Sequence, residues 1–544
     1  MDSFGLWGII PPLLTIVLAF ITKDVIVSLF LGILSGALVV AGGNPGLALM
    51  NLTDLVAGSL ADGWNIRIFM FCALLGGLVG MLTKTGAAGS FGRWASSKLK
   101  TSKGSQLMTT LFGIIIFIDD YFNSLAVGTI MRPVCDKTHV SRAKLAYILD
   151  STAAPVCILA PISSWVVTVM SIVKGSAGFR AEDGTYLLGI NEFQFFIKAI
   201  PYNLYAIATL ITVVSIILLK RDFGPMKASE DLAKTGTLYN EKKYGPVSGN
   251  VPEIDGSRAH PFDMLFPIIV LIITAVIFFP VTTWIGAIDG KSIMNIGQAA
   301  ASMSIGGAFN NTDSSKALMY AIIFTLVLTY IYYMARKLLS LTECGEALRD
   351  GIKSMVPALV ILAMAWSIGS IIKSPKSSGG LGLGLYLSEL VKHGTFPIGI
   401  LPAIMFAFSA VISFSTGTSW GTFGIMIPIA MPIITTLAQV HGYTGATELN
   451  SVMITISAVI GGAVFGDHAS PISDTTILSS TGACVPHLEH VATQMPYAVF
   501  VATCSFFGFL LGGLTMNLAV CWITTLALVA LGLAFLPKIF KSNN

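Results

Sequence analysis

Apolar runs such as IIPPLLTIVLAFI, IVSLFLGILSGALVVAG, FMFCALLGGLVGML, AIATLITVVSIILL, PIIVLIITAVIFF, ALMYAIIFTLVLTYIYY and CWITTLALVALGLAFL recur along the whole chain. Each approaches the roughly 20 apolar residues that a helix needs to cross a bilayer, where a backbone must satisfy its own hydrogen bonds. With 11% charged residues against about a quarter in a soluble domain, the soluble globular class is excluded. The expectation is an all-α polytopic membrane protein of about ten or eleven spans. No basic stretch precedes the first run and no small-residue cleavage site follows it, so it reads as a retained helix. Cys72, Cys135, Cys157, Cys344, Cys484, Cys504 and Cys521 are scattered without a C-x-x-C pair, which suggests neither a disulfide framework nor a zinc site.

The chain also repeats itself. Leu52-Thr53-Asp54 returns as Leu341-Thr342-Glu343, and Gly80 and Lys84 return as Gly369 and Lys373; each lies 289 positions after its partner. Further on, Ala160–Ser163 (APIS) matches Ser470–Ser473 (SPIS), and Pro201–Tyr205 (PYNLY) matches Pro496–Phe500 (PYAVF). The predicted units are a first repeat over 8–220, a polar cytoplasmic linker over 221–260, a second repeat over 261–516, and an extra C-terminal helix with its tail over 517–544. Each repeat reads as three ordinary spans, a hairpin, one broken span and one last span. The hairpins, 105–133 and 397–433, have arms of about a dozen residues around a polar centre, which suggests re-entrant segments. About five crossings per unit make the second copy inverted. With the N-terminus outside, the basic residues Lys84, Arg93, Lys98, Lys100 and Lys103, then Arg132, Lys137, Arg142 and Lys144, then Lys220-Arg221, Arg336-Lys337, Lys538 and Lys541 all fall in the cytoplasm. Such short juxtamembrane clusters report topology, and no nucleic-acid partner is expected.

Interrupted helices survive in lipid only where protein or a water-filled cavity surrounds them, so the breaks mark the functional region. In inverted-repeat transporters paired breaks meet, and free carbonyls and hydroxyls there can hold a cation. The hairpin centres carry Asp119, Asp120, Asn123 and Ser124, and Ser413, Ser415, Thr416, Thr418, Ser419 and Thr422. The broken spans, 143–171 and 452–480, carry Asp150 with Pro155 and Pro161, and the string FGDHASPISDTTI with Asp467, His468, Ser470, Ser473, Asp474 and Thr475. An oxygen-rich set suits a hard cation such as Na+. In an unbroken helix Asp467 and Asp474 would lie about 10 Å apart on one face; Pro471 disrupts that helix between them. A carboxylate buried in lipid has to bind a cation or take a proton, and the expected proton-coupling groups are Asp467, Asp474, His468 and Asp150. His468 is either a proton acceptor or a donor that holds Asp467 in place. Asp119 and Asp120 either handle ions or cap a helix, and Asp150 carries the same ambiguity. Arg132 and Lys84 read as snorkelling anchors, and Trp165, Trp366 and Trp420 as packing.

GDHASPISDTTILSS together with FIDDYFNSLAVGTIMRP resembles the NhaC-type sodium/proton antiporter family, within a broader superfamily of inverted-repeat carriers. The resemblance runs from about residue 8 to 516. It implies two re-entrant hairpins, two unwound helices, a scaffold, a moving transport part and often a homodimer. The ion-handling positions it implies are Asp467, His468, Ser470, Ser473, Asp474 and Thr475, with Asp119, Asp120 and Asn123 from the other half; Na+ is placed at Asp467, Asp474, Asp119, Asp120 and Asn123. The resulting expectation is a secondary active antiporter of the cytoplasmic membrane exchanging Na+ for H+, with the bilayer, Na+ and H+ as partners and no cofactor. The alternative is ion-coupled transport of an amino acid or small organic acid. An intramembrane enzyme is disfavoured: the residues before Asp467 lack the first glycine of a G-x-G-D string, and H-E-x-x-H is absent.

Overall fold

The computed structural model describes residues 2–22, 24–87, 99–181, 184–245, 258–286, 303–383 and 397–539, with a few isolated positions between these ranges. Arg93, Lys98 and Lys541, the end of the polar linker and the middle of the loop over 283–315 lie outside the described residues. Within them the chain is helical, with one isolated bridge between Arg180 and Tyr186. Eight helices are long and apolar enough to cross a membrane, or up to ten when each of two bent pairs counts as one span. This is a multi-pass membrane protein.

The first half comprises α1 (Ile10–Thr22), α2 (Val25–Val40), α3 (Pro45–Ala61) and α4 (Gly63–Lys84). Then come a hairpin of α5 (Ser102–Ile115) and α6 (Asp120–Lys137), a broken helix of α7 (Arg142–Thr152) and α8 (Ser164–Gly175), and a bent pair, α9 (Glu192–Ala199) and α10 (Leu204–Leu219). After a linker helix, α11 (Gly224–Lys234), the order returns: α12 (Pro261–Gly286), α13 (Ser314–Ala335), α14 (Leu341–Ser354), α15 (Val356–Lys373), the hairpin α16 (Leu401–Thr416) and α17 (Ser419–Val440), and the broken helix α18 (Ala446–Ala469) and α19 (Asp474–Ala483). The chain closes with α20 (His487–Thr515) and an extra helix, α21 (Leu518–Ile539). Capping sets several of these boundaries: Asn44 caps α3 ahead of Pro45, and Asp62 accepts from Trp64 and Asn65 at 2.9 Å to start α4.

Packing is reciprocal between the halves. Helix α2 lies on α15 as α13 lies on α4; α3 meets α15 as α14 meets α4; α8 packs on α17 as α19 packs on α6. Polar contacts sort into two poles. At one, Lys84 pairs with Glu346, Arg142 with Asp136, Arg336 with Asp263, and Ser141 with Glu230 of the linker. At the other, Arg67 meets Ser315 and Asp313, Lys174 meets Glu192, and Tyr202 donates to Asn450. Lys84 and Lys373 end the equivalent helices α4 and α15 yet belong to opposite poles, since Lys373 shares a cavity with Asp62 and Gly175. The second copy is therefore inverted.

The hairpin arms differ from the expected dozen residues. Helices α5 and α6 have 14 and 18, while α16 with its lead-in turn has 19 and α17 has 22, long enough to cross. Pro428 and Pro432 sit inside α17 and do not end it, which is why the arm runs on to Val440. The inversion is unaffected, because a two-armed hairpin returns to its own pole whether or not it crosses.

The scaffold closes through glycines. A Cβ on Gly80 would stand 2.2 Å from the Ala347 carbonyl, and one on Gly351 2.1 Å from that of Gly76, so α4 and α14 approach backbone to backbone. Gly80→Val is expected to destabilise the protein by about 1–3 kcal/mol through overpacking, read as a lower melting temperature in detergent. Gly58→Ala, where a Cβ meets nothing within 4 Å, should leave that temperature unchanged.

Candidate ion-binding site

The break between α18 and α19 is four residues long, 470–473, and it is bonded by its neighbours. Ser473 occupies the N-cap of α19 without making a cap bond; its hydroxyl turns to Asp467 Oδ1 at 2.5 Å. The opposite oxygen, Asp467 Oδ2, accepts from the Ser419 hydroxyl at 2.8 Å and from the Ser419 amide at 3.2 Å, at the first turn of α17. That amide is one of the donors every helix N-terminus leaves unpaired, so α17 is aimed at a carboxylate. Gly417 makes the approach possible. Its φ of +69° suits glycine, and a Cβ there would lie 2.7 Å from the Ile472 carbonyl in the break.

The first hairpin presents its own carboxylates. Asp119 caps α6 by accepting from the Phe122 amide at 2.9 Å, and Asp120 Oδ1 accepts from Trp165 Nε1 at 2.9 Å. Trp165 at the start of α8, read from sequence as packing, is thus a direct partner of the acid. Trp366 likewise donates to Ser171. Asn123 Nδ2 stands 2.6, 2.8 and 3.0 Å from the carbonyls of Gly113, Ile116 and Thr152, joining the end of α5 to the end of α7. Asp120 Oδ2, Asn123 Oδ1, Ser164 Oγ and Thr476 Oγ1 are buried without a partner among the described residues. The charges of Asp119 and Asp467 both act on Asp120. Among the described residues, no lysine or arginine pairs with Asp119, Asp120 or Asp467, each 5% exposed or less.

The remaining sequence candidates divide. Thr475 is buried beside Ser473 at 2.9 Å, Ser124 accepts from Ser479 at 3.2 Å, and Ser470 donates to the Phe414 carbonyl at 2.7 Å, tying the break to α16. Thr416 bonds the Ile412 carbonyl within its own helix, the Thr418 carbonyl accepts from Thr422, and Ser415 is half-buried. Asp474 is not gathered in: it is exposed on the rim and accepts from Tyr121 at 3.0 Å. His468 faces away from Asp467, with Tyr205 at 2.7 Å on Nδ1 and Ser151 at 3.2 Å on Nε2. Asp150 lies beside it, held by His490 and Gln494 of α20. No three His, Cys, Asp or Glu side chains among the described residues converge as a metal-ligand group, so the acids named from sequence do not form one compact cage.

Two inverted halves with interrupted helices, meeting at buried carboxylates that no lysine or arginine among the described residues pairs with, define a secondary transporter. The chain belongs to the Na+/H+ antiporter family, whose model matches residues 156–514. It is 38% identical to a Haemophilus influenzae protein of uncharacterised function over 95% of this chain and 92% of that one. An uncharacterised Na+/H+ antiporter of the same organism is 30% identical over 29% of this chain and 31% of its own length. The malate-2H+/Na+-lactate antiporter of Bacillus subtilis is 29% identical over 33% and 36%.

Asn123 is expected to be a structural hinge pin of this site. Asn123→Ala removes the two amide hydrogens shared among the Gly113, Ile116 and Thr152 carbonyls, at about 1–3 kcal/mol for each of the two hydrogen bonds lost if nothing relaxes. Transport in vesicles should fall at least tenfold, while Asn311→Ala, on an exposed side chain, should change nothing.

Proposed function

We propose that the chain exchanges Na+ for H+ by alternating access, with both ions competing for the buried carboxylates Asp467 and Asp120. The observation that carries this reading is a buried Asp467 held by Ser419 and Ser473 from two segments, together with a buried Asp120 whose second oxygen has no donor among the described residues. Ionised and unpaired, such acids are costly in a medium of low polarity, so each state of the carrier has to neutralise them with a cation or a proton. Unpartnered oxygens at Asp120, Asn123, Ser164 and Thr476 are the lone pairs open to a small hard ion. Asp119 and Ser124 shape the hairpin tip, Ser470 and Thr475 the break, and Asp474 with Tyr121 marks its rim. Sodium is the cargo, and the reading needs no cofactor. The pole carrying the linker is the cytoplasmic one, since the basic residues gather there; the N-terminus is then outside and the C-terminus inside the cytoplasmic membrane.

A second reading, coupling to a small organic acid, is favoured by one feature. An open cavity of about 470 Å³ at the pole away from the linker is lined by Asp54, Asp62, Asn65, Trp366 and Lys373, far more room than a bare ion needs. The Bacillus subtilis relative, named for organic acids, points the same way.

Purified protein in liposomes decides between them. With no organic solute, an imposed Na+ gradient is expected to drive proton flux, and the Na+ concentration at half-maximal rate should rise roughly tenfold per pH unit lowered where one proton competes. Asp467→Asn and Asp120→Asn should each reduce this flux to background. Flux that begins only when malate, lactate or an amino acid is added supports the second reading and sinks the first.

A further inference from the structure

Asp150 and Asp467 are the buried acids at the ends of the first arms of the two broken helices. Each lies two residues before the end of the first arm of its broken helix, α7 ending at Thr152 and α18 at Ala469. Their surroundings are unlike. Asp467 receives hydroxyls and a helix amide, oxygen-rich company for a hard cation. Asp150 Oδ2 receives His490 Nε2 at 3.1 Å and Gln494 Nε2 at 2.9 Å, both from α20 of the opposite half.

Proton counting shows what this second acid is arranged to hold. The Gln494 amide nitrogen also donates to the His468 carbonyl at 2.6 Å, so both its hydrogens are used. With Asp150 ionised, His490 Nε2 has to carry hydrogen toward Oδ2, which leaves Nδ1 either as a bare lone pair or protonated. Among the described residues Nδ1 has no partner, nor do Asp150 Oδ1 and Gln494 Oε1, and all three residues are fully buried. A bare imidazole nitrogen accepts H+ far more readily than it ligates a hard alkali cation. Adding H+ at Nδ1 breaks no bond; it turns an anionic pair into a neutral ion pair, linking α7 to α20.

Among the titratable groups facing the pair are His468 and Asp467 from α18, His487 from α20 and Tyr205 from α10; Lys144 of α7 is paired with Asp222, which lies between α10 and α11.

We propose that Asp150 and His490 form a second proton-binding site, separate from the carboxylates that take Na+, and that its proton is carried in addition to the one competing with sodium. This rests on the exchange reading above. It makes the exchange two protons per sodium and therefore electrogenic.

The test uses the full-length protein in liposomes with pH and membrane potential clamped, reading the potential at which Na+ flux reverses, together with isotopic Na+/Na+ exchange at fixed pH. Wild type is expected to reverse at two protons per sodium. Asp150→Asn, His490→Gln and His490→Asn are expected to keep Na+/Na+ exchange within about twofold and to reverse at one proton per sodium, losing their sensitivity to potential. A wild-type ratio of one overturns the inference and leaves the exchange reading standing. So does an unchanged ratio in the His490 variants, and so does joint loss of Na+/Na+ exchange in all three, which would make the pair a support of the sodium site. Wild-type protein without solute-free Na+/H+ exchange removes both.

Discussion

A backbone that gives up its helical hydrogen bonds inside lipid has to find donors and acceptors elsewhere, and the structure turns on how that need is met. At every break a side chain from another segment takes the freed group. Asn123 reaches the carbonyls of Gly113, Ile116 and Thr152; Ser470 takes Phe414, His487 takes Pro471, and Gln494 takes His468. These bonds are what lets four interrupted segments from two halves stand against one another. They also assign work to polar residues that would otherwise all be counted as ion ligands.

Charge follows the same economy. Asp119, Asp120 and Asp467 are held by neutral donors, a tryptophan, serines and backbone amides, whereas lysines and arginines take acids near the poles, as in Lys84–Glu346 and Arg336–Asp263. A fixed cation beside Asp467 would neutralise it permanently and leave nothing for a mobile ion to do. Neutral donors orient a carboxylate without discharging it, which is the condition for a site whose occupant changes.

Duplication supplies the frame and divergence supplies the function. The shared order of elements brings α8 to α17 and α19 to α6, so each half's break is completed by the other's hairpin. Yet Asp150 and Asp467, each near the end of the first arm of a broken helix, keep different company, histidine and glutamine in one case and hydroxyls in the other. A symmetric scaffold suits a carrier that opens alternately to two sides, and asymmetric dressing of its two acids gives those sides unlike chemistry.

Much of this was legible in the residues alone. Apolar run length determines spans; the 289-residue offset determines the repeat, and α4 and α15 do end at Lys84 and Lys373; Pro471 and its serines mark a break that falls at 470–473. These are local or periodic signals, which a linear chain carries openly. What tertiary structure alone decided is which polar group meets which. Trp165 looked like packing and donates to Asp120. Asp474, seven residues from Asp467 and chemically identical, lies on the exposed rim. His490 and Gln494 sat unnoticed in a long helix, although His487, His490 and Gln494 at intervals of three and four residues in a membrane-spanning helix are themselves a signal of one polar face. The physical reason is that a carboxylate's partners come from segments hundreds of residues apart, and only packing of the inverted halves sets those distances.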